Sequence, residues 1–193
     1  PPGFDSKSYG HYPYWTSLSG TIEGHLKNLS LSYVATGRRE FADKAAEYCL
    51  KLVGWEVWTD PDYSPKLTPC LDTGHITIGV SIAYDVCHDA WTEEQRAQVR
   101  EGLVRLGLRS LYTETTLEEN QNSDANWDIL YNGAMGIGAL ALLGDDPALD
   151  GELWAAVDQA HEYYLRRGMG DGPDARVLAG PMADQPCREV VGP

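Results

Sequence analysis

The chain has 193 residues, of which 42% are apolar and 23% charged, and this composition excludes a disordered or collagen-like chain. Its formal net charge is −14, so it lacks the basic balance with which proteins bind a nucleic-acid backbone. No apolar stretch approaches the roughly 18 to 20 residues of a membrane-spanning helix. We therefore expect neither nucleic acid nor a membrane as a partner.

Six segments recur with the period of a helix, after an N-terminal arm over residues 1–19 that is rich in Pro, Gly, Ser and Tyr. Their apolar positions and end signals predict helices over residues 20–36, 39–53, 74–88, 92–112, 126–143 and 146–168. Gly37 and Gly144 follow the first and the fifth, as is typical of helix ends. Residues 169–193 have neither a helical nor a strand period, which predicts an irregular C-terminal tail.

Alternate helices differ in character. The first, third and fifth are apolar on nearly all sides, as in NGAMGIGALALLG, whereas the second, fourth and sixth are amphipathic and carry the charge. This alternation predicts an all-α fold over residues 20–168, an incomplete (α/α) toroid of about three helical hairpins. The inner helices would then run parallel, with their N-terminal ends gathered at one end of the toroid. Helix N-termini carry positive partial charge, which favours anionic ligands.

Polar and aromatic side chains are predicted to meet at that end. The amide of Asn126 and the imidazole of His75 are the candidates for chemistry, because an amide can bind a carboxylate and an imidazole can move a proton. The candidates for binding a sugar ring or its hydroxyls are Tyr14, Trp15, Asn122, Trp127 and Tyr131. Structural alternatives stay open, with Asn126 as a helix cap, His75 as a structural residue and the aromatic residues as core packing. The spacing of the histidines and cysteines predicts no metal site, and no cofactor is expected.

The run NWDILYNGAMGIGALALLGDDP resembles a helix of the heparinase II/III-like polysaccharide lyases, which often reads NWN and then a Cys-Asn-Gly-Gly-like stretch. Two earlier segments are similar to the hairpins that precede it in those proteins: SLSYVATGRREFADKAAEYCLKL and LDTGHITIGVSIAYDVCHDAWTEEQRAQVREGL. Together the resemblance covers roughly residues 18–167. The chain departs from the family in having Asp128 for the second Asn of NWN and Tyr131 for the Cys. The segment GDGPDARVLAGP also has no Tyr where the family has its catalytic one.

The resemblance implies an α/α toroid that cleaves uronic-acid polysaccharides by β-elimination, with an anionic polysaccharide as the partner. Asn126 matches the amide that neutralises the substrate carboxylate while a Tyr or His removes the neighbouring proton. The family also implies a periplasmic or secreted location and a later β-domain that supplies a second histidine. We therefore expect the sequence to be a fragment, and we expect it to self-associate through the truncated edge of its toroid.

Two other functions fit the same residues. The α/α toroid also hosts glycoside hydrolases, which place two carboxyl groups across the scissile bond, and Asp72, Asp124 and Asp128 are candidates for that pair. The other alternative is a non-catalytic helical scaffold that binds a glycan or a protein. Only a lyase produces an unsaturated uronate with its ultraviolet absorbance, so this chromophore distinguishes the three.

Overall fold

A computed structural model describes residues 14–117, 120 and 125–166. The regular secondary structure of these residues is helical, with no strand among them, which confirms the all-α class. The helices are α1 (Tyr14–Thr36), α2 (Arg39–Val53), α3 (Leu71–Cys87), α4 (Glu93–Gly102), α5 (Arg109–Thr115), α6 (Asn126–Leu142) and α7 (Asp150–Arg166). A 3-10 turn, His88–Ala90, follows α3, and a π-helical segment, Leu103–Leu108, joins α4 to α5.

Three helices begin three or more residues away from the start that the sequence predicted: α1, α7 and α3, which begins at Leu71 instead of residue 74. Helix α1 begins at Tyr14, so the arm predicted over residues 1–19 is wrong for its last six positions. Trp15 and Ser19 are buried, and this packing extends the helix into a segment whose composition is that of a loop. Helix α7 begins at Asp150 instead of residue 146, because the Asp146 carboxylate accepts the backbone N–H of Ala148 at 3.0 Å in a turn. The predicted tail over residues 169–193 lies outside the described residues.

Helices α1, α3 and α6 lie side by side and run in the same direction. Contacts between α1 and α3 advance along both helices together, joining Thr16 to Asp72, Glu23 to His75 and Ser30 to Cys87. Contacts between α6 and α3 advance in the same way. The Tyr131 hydroxyl donates to the carbonyl of Pro69, two residues before α3, and farther along both helices Gly138 lies beside Ser81. The N-terminal ends of these three inner helices are therefore at one end of the layer, as the alternation of helices predicted.

The remaining helices form an outer layer. Helix α2 packs on α1 and α3. Helix α4, the π-helical segment and α5 form one continuous helix, which packs on α2, α3 and α6. Helix α7 packs on α6 and α5. The core between the layers is built from Leu26, Ala45, Cys49, Val80, Tyr84, Leu103, Leu111, Met135 and Leu153. The closure of these layers into a toroid stays a prediction.

Candidate functional site

A buried carboxylate joins the N-terminal ends of α1 and α3. Asp72, in the first turn of α3, is fully buried. Its Oδ1 accepts a hydrogen bond from Thr16 Oγ1 at 3.0 Å, and its Oδ2 accepts one from the backbone N–H of Asp60 at 3.2 Å. Burial raises the pKa of Asp72 to about 6, because these hydrogen bonds do not fully replace the lost water. Asp72 therefore holds two helices together and does not reach a ligand at the surface.

His75 lies one turn after Asp72 and pairs with a carboxylate of α1. Its Nδ1 is 2.5 Å from Glu23 Oε2, and Lys27 Nζ donates to Glu23 Oε1 at 2.9 Å. Burial raises the pKa of Glu23, but the hydrogen bonds and charges of His75 and Lys27 outweigh it and hold this pKa below its usual value. A carboxylate beside an imidazole is an arrangement that can orient the ring and move a proton. We call this pair of side chains the Glu23–His75 dyad.

The dyad faces the side of the inner layer that the outer helices leave uncovered. His75 belongs to the stripe of α3 that is less buried than the rest of that helix, formed by Leu71, His75, Ile78, Ile82 and Asp85. The His75 side chain is 27% exposed and that of Glu23 14%. On α1, a Cβ added at Gly20 or at Gly24 would meet nothing within 4 Å. There is consequently open space beside the dyad from which a ligand can approach.

Asn126 is exposed and is the first residue of α6. The alternative in which Asn126 caps this helix does not agree with the structure, because Ala125 holds the capping position with an extended backbone (φ −68°, ψ 141°). One turn later, Leu130 packs against Gly74, the neighbour of His75. The structure thus places Asn126 and His75 on adjacent parallel helices at the same end of the inner layer.

The aromatic candidates lie in the core. Trp15, Trp127 and Tyr131 are only 7%, 8% and 3% exposed. The ring of Trp15 meets that of Trp55 edge to face at 6.0 Å between centroids, and the Tyr131 hydroxyl donates to the Pro69 carbonyl at 2.9 Å. Their faces pack against protein, where large rings gain most from burial, so we leave all three out of the proposed site. The Tyr14 side chain and Asn122 lie outside the described residues.

The carboxyl groups considered for a hydrolase do not form an accessible pair. Asp72 and Asp128 are 0% and 1% exposed, whereas the two carboxyls of a glycosidase must both reach the scissile bond. Asp124 lies outside the described residues. Among the described residues of this region, Glu23 is a partly accessible acid that the sequence analysis did not select. Its spacing of four residues from Lys27 was visible in the sequence, but it is equally typical of an ordinary surface ion pair.

A second polar cluster lies at the opposite end, where α3 and α6 finish. Asp145 accepts a hydrogen bond from the Tyr84 hydroxyl and pairs with His88 Nε2 at 3.2 Å and Arg100 Nη1 at 3.7 Å. Burial raises the pKa of Tyr84, as does its bond to Asp145, so the hydroxyl stays protonated and donates. An open cavity of about 300 Å³ adjoins the cluster and is lined by Asp85, Val86, His88, Asp89, Leu140, Ala141, Leu143 and Asp145.

No model of a known protein family matches the chain, and the search of curated proteins finds no match either. Membership of the polysaccharide-lyase family therefore stays a prediction. In the part of the chain that the structure describes, no helix is long and apolar enough to span a membrane. Over the same residues, no three His, Cys, Asp or Glu side chains are grouped so as to hold a metal ion.

Proposed function

We propose that the chain belongs to a polysaccharide lyase that cleaves uronic-acid polysaccharides by β-elimination. The observation that carries this proposal is the Glu23–His75 dyad, which is partly exposed on the open face of the parallel inner helices. It lies at the end where α6 begins with the exposed Asn126. A proton-transfer group and a neutral amide donor on adjacent helices are two of the parts that β-elimination requires.

The chemistry assigns a task to each part. The proton to be removed lies on the carbon next to the uronate carboxylate, and negative charge develops on that carboxylate as the proton leaves. His75 takes the proton, and the Asn126 amide donates to the carboxylate and stabilises the developing charge. The electron pair left on the carbon then forms the carbon–carbon double bond as the bond to the glycosidic oxygen breaks, and that leaving oxygen gains a proton from the His75 imidazolium or from water. The N-terminal ends of α3 and α6 add positive partial charge, which helps a chain of net charge −14 to hold an anionic sugar.

A helical scaffold that binds a protein partner is the second candidate. Large apolar side chains are exposed on the last two helices: Ile137 and Leu140 on α6, and Trp154 and Leu165 on α7. Exposed apolar side chains of this kind are typical of a surface that contacts another protein. Self-association through this edge is one form of the proposal. A mass from light scattering that rises with protein concentration supports it, whereas a monomer at high concentration contradicts it.

The lyase proposal is tested by incubating the chain separately with alginate, heparan sulfate and chondroitin sulfate and recording the ultraviolet absorbance of the unsaturated uronate. We expect one substrate to give a slow rise, because the segment GDGPDARVLAGP supplies no Tyr to protonate the leaving oxygen. The change Asn126→Ala should then reduce turnover by about a hundredfold or more, the usual cost of removing one charge-stabilising donor.

The matched control is Gln98→Ala, because Gln98 is an exposed amide on the outer helix α4 and its loss should leave turnover unchanged. No absorbance with any of the three polysaccharides contradicts the lyase proposal. Full turnover by Asn126→Ala, together with a lower melting temperature, contradicts the role of Asn126 and makes it a structural residue.

A further inference from the structure

We propose that Glu23 is a positioning residue that fixes His75 in the tautomer with its proton on Nδ1, so that Nε2 is the proton-accepting atom of the dyad. The tautomer follows from the geometry of the dyad alone. Its use as the base of an elimination rests on the proposed function.

The position of the proton follows from the charge of Glu23. Its two neighbours, His75 and Lys27, hold the carboxyl pKa below the usual value against the effect of burial, so Glu23 is ionised at neutral pH. An ionised carboxylate only accepts hydrogen bonds. The ring nitrogen that lies 2.5 Å from it must therefore be an N–H. Neutral imidazole carries a single N–H, which leaves the lone pair on Nε2.

The carboxylate is held in place from two sides. Lys27 occupies the oxygen that His75 does not use, at 2.9 Å. On the α3 side, a Cβ added at Gly79 would lie 3.0 Å from the Cα of Glu23, so the two helices are in close contact at this level. The 14% exposure of the Glu23 side chain is consistent with a group held in one position. His75 is consequently oriented by a fixed acceptor on a different helix.

This arrangement separates the two ring nitrogens by function. Nδ1 is used in the bond between α1 and α3, and Nε2 is left for a ligand on the open face of the inner layer. A catalytic histidine in the wrong tautomer presents a proton where a lone pair is needed, even when the ring itself is in place. Glu23 therefore decides whether His75 can act as a base, although it does not itself touch the reacting atoms.

The test is a nitrogen NMR measurement on the whole chain with ¹⁵N-labelled histidine, at a pH where His75 is neutral. The change His75→Gln identifies the His75 signals. In the wild-type chain we expect the shift of a protonated Nδ1 and of an unprotonated Nε2. In Glu23→Ala we expect the Nε2–H form to increase, because the fixed acceptor is gone. The control Glu47→Ala removes another glutamate that pairs with two lysines, and it should leave His75 unchanged.

A protonated Nε2 in neutral wild-type His75 overturns the inference, and so does a Glu23→Ala chain with the wild-type tautomer. The wild-type spectrum is decisive even where the variant does not fold. With an active substrate, Glu23→Ala should also lower kcat tenfold or more while KM stays the same. A wild-type chain with the expected tautomer but no lyase activity supports the inference and overturns the proposed function, so the two failures are distinguishable.

Discussion

The two ends of the inner layer both contain carboxylates that join neighbouring elements, but the groups that surround these carboxylates differ in charge. At the N-terminal end, α1 and α3 are joined through the carboxylates of Asp72 and Glu23, and the nearby cationic or ionisable partners are Lys27 and His75. Helix N-termini carry positive partial charge, which helps to stabilise carboxylates without arginine. The Asp72 carboxylate nevertheless loses its contact with water on burial, and this loss raises its pKa.

At the C-terminal end, a carboxylate is surrounded by donors. Asp145 accepts a hydrogen bond from the Tyr84 hydroxyl and forms ion pairs with His88 and Arg100. Arg96 donates to the backbone carbonyls of His88 and Trp91 at 3.1 and 3.0 Å. Arginines suit this end because helix C-termini leave carbonyl groups and negative partial charge. The comparison indicates that the carboxylate of the C-terminal cluster already has its hydrogen-bond and ion-pair partners within the protein, and that the cluster stabilises the fold. The N-terminal end keeps an imidazole available to a ligand.

The comparison is tested most strongly by Asp145→Ala. We expect it to lower the free energy of unfolding by about 2 to 3 kcal/mol, because Tyr84 and the 16%-exposed Arg100 lose their shared acceptor. Urea unfolding at neutral pH measures the change. Asp89→Ala is the control, since its carboxylate is fully exposed and pairs with His88 at the surface, and its free energy of unfolding should lie within about 0.5 kcal/mol of the wild type. Equal effects of the two changes would mean that the C-terminal cluster does not stabilise the fold.

Asp72→Asn should change the free energy of unfolding less than Asp145→Ala does. The change should be an increase, and its size should depend on pH. The folded pKa of about 6 lies above the usual value near 4, so the native state binds the Asp72 proton more tightly than the unfolded state. The charged carboxylate therefore destabilises the fold above pH 6, and this penalty disappears as the pH falls toward 4. We expect Asp72→Asn to be more stable than the wild type by about 1 to 2 kcal/mol at pH 8 and equal to it near pH 4.

Unfolding curves at several pH values measure this difference. The control is Asp85→Asn, at an exposed position of the same helix, which should show no such trend. A wild-type chain that is more stable than Asp72→Asn at pH 8 would show that the hydrogen bonds from Thr16 and Asp60 outweigh the cost of burial.

Thr16→Val should produce the smallest change. The hydroxyl donates to Asp72, and its loss should cost about 1 kcal/mol at pH 8, where the acceptor is charged. The cost should decrease near pH 4, because a protonated carboxyl is a weaker acceptor. Thermal unfolding at the two pH values checks this. Thr21→Val is the control, since its hydroxyl bonds only within α1, to Ser17, and a pH-dependent loss there would refute the explanation.

The fold was largely predictable from the sequence because its signals are local. Helical period, the glycines at 37 and 144 with φ of +66° and +87°, and the alternation of apolar with amphipathic helices each act over a few residues. Together they give the all-α class and the parallel inner helices. The early start of α1 was missed because its first turns are held by tertiary burial, which no local signal reports.

The candidate site was predictable only in part. His75 and Asn126 were selected because they lie near the starts of inner helices, and their roles stay a prediction. Glu23 was missed because its partner His75 is 52 positions away, and only the packing of α1 on α3 brings the two together. Trp127 and Tyr131 were assigned to sugar binding because an aromatic residue near a helix start has the same pattern in a core as in a cleft. Burial separates the two, and burial is a property of the folded chain.

The π-helical segment in the outer layer has a consequence for how one continuous helix packs against two different hairpins. A wider turn inserts one extra residue into the helix, and one residue corresponds to a rotation of about 100° around the axis. Before the insertion, Gly102 abuts Val53 at the end of α2. After it, Thr115 bonds Met135 of α6 and accepts from Gln159 of α7. A single added residue thus rotates the buried face of the helix. Before the π-helical segment this face packs against the first hairpin, and after it the same face packs against the third.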